Sequence, residues 1–78
     1  MSEYFDKVKT SSNEIWLALK PFFKDRPLTD EECTEMMETG NAILERWKDF
    51  KYAKDYFMLL VGAVTSNDVI ERRKNDKS

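Results

Sequence analysis

One thiol, Cys33, and no imidazole anywhere in 78 residues set the chemistry this chain can attempt. Nucleophile-base pairs of the Ser-His or Cys-His kind need an imidazole of near-neutral pKa to take the proton, so they are excluded. Zinc sites of the finger type draw on several Cys and His residues and are excluded as well, and an intramolecular disulfide is impossible. Cys33 stands in the first turn of an expected helix, where the dipole favours a thiolate, but Asp30, Glu31 and Glu32 oppose one, so a packed, inert thiol is expected. Paired carboxylates in a cleft could serve acid-base catalysis, yet no pair stands outside a solvated face. Gly40 and Gly62, the only glycines, are isolated in helical patterns and form no phosphate-cradling loop. No catalytic residue, cofactor or metal is therefore expected.

Binding chemistry has more to draw on. Glu31, Glu35 and Glu38 follow one another at steps of four and three along one flank of a helix, with Asp30 and Glu32 nearby. Such a row is ordinarily a solvated face favoured by the helix dipole, and it can also steer toward a basic protein surface. A phosphate mimic would need far more net negative charge than the −2 of this chain. Between Trp47 and Phe57, Lys48, Lys51 and Lys54 interleave with aromatic residues, a pattern that could set lysines on phosphates and rings on bases. Arg72, Arg73 and Lys74 add a basic cluster near the end, though such clusters are common at helix C-termini. Residues 1–46 carry 6 basic against 10 acidic side chains and residues 47–78 carry 7 against 5, so the second part is only mildly basic. Nucleic acid is accordingly the second reading. The first is protein contact through a Met and aromatic seam in which Trp47, Phe50, Tyr52 and Tyr56 are the anchors, flanked by Glu31, Glu35 and Glu38.

These residues must be positioned by helices. Phe5, Val8, Ile15, Trp16, Leu19, Phe22 and Phe23 recur at steps of three and four with Ser12 as a gap, the mark of one helical face. Ser11 precedes Glu14 by three residues and could cap a new start, which leaves the beginning of this helix open. Pro21 and Pro27 disfavour helical geometry before them, so Lys20 to Leu28 should form a kink and connector pinned by Phe22 and Phe23. Thr29 and Glu32 then spell a capping box, with Leu28 and Cys33 as its hydrophobic staple. From there Cys33, Met36, Gly40, Ile43, Trp47 and Phe50 form a heptad seam widened by Met37 and Leu44. Gly40 on that seam implies a close approach by a neighbouring group.

No Gly or Pro interrupts residues 47–56, so 30–64 is either one long helix or a hairpin turning near Asp49 to Tyr52. A compact core favours the hairpin. Tyr56 to Val64 is apolar all round, which implies burial on every side in a core or under a partner. Thr65 to Asp68 reads as a stop or an N-cap, and 75–78 as a frayed tail behind a single helical domain over 1–74.

Hydrophobic residues make up 41 % and charged residues 36 % of the chain, the balance of a folded small domain. A chain of this length buries roughly 60 % of its unfolded surface and is marginal alone, so a partner or a homodimer is the expected supplement. Met1 to Tyr4 lacks the start of a secretory signal, and the charge-free stretch from Tyr56 to Asn67 is too short for a bilayer. The cytoplasm, where a free cysteine is stable, is the expected location. The combined expectation is an all-α domain of about three helices, a helical hairpin plus an N-terminal helix, or a helical dimer. It is expected to modulate a larger protein as inhibitor, adaptor or accessory subunit and to be no enzyme.

Overall fold

The computed structural model describes residues 2–76. Helix α1 spans Glu3–Leu19, a 3-10 turn follows over Lys20–Phe22, and α2 (Asp30–Arg46) and α3 (Lys51–Asp76) complete the chain. Among the described residues there is no strand. Tyr4, at the start of α1, lies beside Phe50 at the α2–α3 turn, whereas Leu28, just before α2, is bonded to Asp68 far along α3. The helices therefore run up, down and up, with α1 packed on both others.

Helix α1 begins once, at Ser2, whose side chain accepts from the Phe5 amide at 3.4 Å. Ser11 caps nothing. It is fully buried in mid-helix, and its Oγ donates back to the carbonyls of Lys7 and Val8 at 2.8 and 3.2 Å. A cap needs extended backbone, which an uninterrupted helix does not offer at that position, and back-bonding satisfies the hydroxyl instead. Ile15 and Leu19 are buried as expected, while Phe5 and Trp16 are exposed. Successive helical residues point about 100° apart, so Ile15 and Trp16 cannot both face one core.

The connector follows its two prolines. Phe22 is buried and Phe23 is not, so one ring of the pair pins the segment. Asn67 Nδ2 donates to the Lys24 carbonyl at 2.8 Å, and the Leu28 amide donates to Asp68 Oδ1 at 3.3 Å. These two residues thus tie the connector down rather than stop α3, which runs on through Thr65–Asp68. Their side chains are committed to another segment and no longer compete for their own backbone.

At the start of α2 the capping box is complete. Thr29 Oγ1 accepts from the Glu32 amide at 3.1 Å, and Glu32 Oε1 accepts from the Thr29 amide at 2.9 Å. Met36, Gly40 and Ile43 face inward, with Cys33, Leu44 and Trp47 packed against them, but Met37 lies outside the stripe. Gly40 is the close approach its position implied, because a Cβ there would strike the Phe57 ring.

The hairpin forms, turning over Trp47–Phe50 rather than Asp49 to Tyr52, because Lys51 and Tyr52 already belong to α3. Helix α3 is buried on one side only, through Ala53, Phe57 and Val64, while Met58 and Leu59 stand in solvent. The core of one chain therefore covers only one side of Tyr56 to Val64, and the other side is left exposed. Helix α3 has 26 residues against 17 in each of the others, so its last turns outrun the bundle and the molecule extends 52 Å. The backbone of 75–76 continues α3, and the rest of the expected frayed tail lies outside the described residues.

Candidate functional site

Each of the four anchor rings is half-buried. Trp47 donates from Nε1 to Glu14 Oε2 at 3.0 Å, and Arg46 reaches the same oxygen at 2.8 Å. Tyr52 shares a hydrogen bond of 2.9 Å with Ser12 Oγ. The rings form a continuous chain, Trp47 to Phe50 at 5.8 Å, Phe50 to Tyr52 at 5.9 Å and Tyr52 to Tyr56 at 5.9 Å, with Tyr4 added to Phe50 at 5.6 Å. This cluster packs the α2–α3 turn against α1, with Tyr4 more than half exposed at its margin.

The acidic row does not join it. Glu31, Glu35 and Glu38 are exposed on the first half of α2, and Glu31 precedes Trp47 by 16 residues, about 24 Å along a helix. Glu32 differs from its neighbours. Two hydrogen bonds from Arg26, at 2.7 and 2.9 Å, and one from the Thr29 amide hold its carboxyl down at about 2. The Arg26 guanidinium is raised in turn by the same bonds. Among the described residues, no group of three or more metal-ligating side chains converges.

The basic residues divide into two sets. Lys48, Lys51 and Lys54 line one open groove of 560 Å³ with Trp47 and Phe50, so the lysines and rings of the nucleic-acid reading do meet. Glu45 and Asp49 line it too, and Lys51 is paired with Asp55 at 2.6 Å, which reduces its positive field. Arg72, Arg73 and Lys74 are exposed at the far end of α3, about 27 Å from Lys54 by helical rise. Lys74 is paired with Glu71 at 3.2 Å.

A second groove gathers residues that the periodicity assigned to the core. The rings of Trp16 and Phe23 stand 5.1 Å apart, tilted, and are 46 % and 38 % exposed. Between them and α3 lies an open groove of 330 Å³ with Phe22, Leu60 and Val64 among its lining residues. Adjacent bulky pairs, Ile15-Trp16 and Phe22-Phe23, were the available signal, since one member of each must turn away from a single core. No family model, curated protein or solved structure matches this chain.

Proposed function

We propose that the chain is a non-enzymatic interaction module that modulates a larger protein target, as inhibitor, adaptor or accessory subunit, by docking apolar side chains. The observation that carries this reading is the Trp16–Phe23 groove, where two large rings are left in solvent beside an apolar floor. Burying exposed aromatic surface is favourable, and Trp is enriched among residues that dominate interface energies. The groove suits one or two apolar side chains of a partner, with Lys24 and Asp25 at its lining as polar contacts. Glu31, Glu35 and Glu38 on α2 supply steering toward a basic target without belonging to the docking site. Trp47, Phe50, Tyr52 and Tyr56 contribute the edges of the turn cluster as a secondary contact. The reading needs no cofactor, and a reducing cytoplasm suits the unpaired Cys33.

Nucleic-acid regulation is kept as the second reading because Lys48, Lys51 and Lys54 share a groove with Trp47 and Phe50. Tagged chain captured from a lysate of its native source, with and without nuclease, separates the two. We expect a stoichiometric protein that survives nuclease, changes little between low and physiological salt, and is lost from the double variant Trp16→Ala/Phe23→Ala. Capture that vanishes on nuclease treatment or falls steeply with salt would instead mark phosphate neutralisation. Both variant positions are partly exposed, and helix content by circular dichroism is the control that the fold remains.

A further inference from the structure

The outward half of α3 carries a second seam that the three-helix core leaves uncovered. Asp55, Leu59, Gly62, Ser66, Val69 and Arg73 are all exposed on the side opposite Ala53, Phe57 and Val64. Their steps are four, three, four, three and four, the spacing of a packed helix pair. The series reads the same from either end, with Val64 at its midpoint.

An antiparallel copy of α3 laid along this seam, with the two-fold axis at the level of Val64, sets Asp55 against the second copy's Arg73. Leu59 then meets Val69 and Gly62 meets Ser66, and each contact recurs in the reverse sense, as an isologous interface requires. Met58 and Ile70, both exposed, border the seam on its two opposite flanks. A parallel pairing would oppose Asp55 to Asp55 and Arg73 to Arg73, so charge selects the antiparallel arrangement.

Three further observations favour that occupant. Leu59 is 72 % exposed and Ile70 52 %, in a chain too short to bury a large core. Gly62 weakens an exposed helix relative to alanine, yet a Cβ there would meet nothing within 4 Å, so the fold of one chain gives no reason for it. A second helix approaching closely at Gly62 and Ser66 does. The ends can also pair: Asp55 holds Lys51 of its own helix and keeps much of its carboxylate in solvent, and Arg73 makes no ion pair with residues 2–74.

We infer that this chain forms an antiparallel homodimer through the outer face of α3, closed at each end by an Asp55–Arg73 pair. None of the six seam residues lines the Trp16–Phe23 groove, so the inference does not depend on the proposed function. Sedimentation equilibrium of the purified full chain over a wide concentration range is the test. The expected result is a reversible monomer-dimer equilibrium that weakens at least about tenfold in Asp55→Arg and in Arg73→Asp, where like charges face each other. The combined Asp55→Arg/Arg73→Asp variant re-forms opposite pairs and recovers the dimer. Gly62→Trp abolishes it, with helix content by circular dichroism unchanged, and Trp16→Ala leaves it intact. A chain that is monomeric at every concentration, including one that uses this face for a different protein, overturns the inference. So does a dimer indifferent to Gly62→Trp, or a combined charge swap that fails to recover it.

Discussion

Glu32 shows how much one side chain in the capping box carries. It accepts two hydrogen bonds from Arg26 and one from the Thr29 amide, and its carboxyl is held near 2 against an ordinary value of 4.5. Between those two values the unfolded chain binds the proton and the folded chain does not, so stability rises with pH across that window. The contribution is fully present above about 4.5 and is lost as pH falls through about 2. Denaturant unfolding at pH 5 and pH 2 should therefore show a smaller loss in Glu32→Gln than in the native chain. Equal losses would remove Glu32 from the acid response. The Thr29–Glu32 box was readable because it is a local pattern, closed within four residues. The Arg26 clamp was not, since it depends on how the proline-rich connector folds back.

Helix α3 and its two faces account for the contrasting glycines. Gly40 of α2 admits the Phe57 ring, whereas Gly62 looks into open space. Gly40→Ala gains helix propensity but forces the buried Phe57 ring to move, with a net cost of about 1–3 kcal/mol. Gly62→Ala, measured on dilute protein, should instead stabilise by about 0.5–1 kcal/mol. Urea midpoints of the two variants read both signs at once, and a stabilised Gly40→Ala would contradict the close packing of α2 on α3. Periodicity gave the inward faces of all three helices, because burial recurs every three to four residues. It placed Phe5, Trp16, Phe23 and Met37 on inward stripes where they do not lie, because apolar type alone does not say which side of a helix has a neighbour. The same error hid the Trp16–Phe23 groove.

The whole molecule is held by packing and hydrogen bonds, with Cys33 unpaired. Its melting temperature should be unchanged by reductant and by chelator, and a fall on chelation would reveal a bound ion that stabilises the fold. No helix among the described residues is long and apolar enough to cross a membrane. The all-α class, the N-terminal helix, the proline connector, the start of α2 and the close approach at Gly40 follow from local composition and spacing, which act within a few residues. The hairpin was favoured by the need for a compact core and not by any local signal, since residues 47–50 contain no Gly or Pro; the turn is held by Trp47 on Glu14 of α1 and by Phe50 beside Tyr4. Nor does any local signal specify the continuation of α3 past Asp68, where Asn67 and Asp68 are drawn to the connector instead of capping a new start. In both places the partner lies more than thirty residues away along the chain. Only the packed fold brings such groups within bonding distance, and their free energy then outweighs the weak local preference.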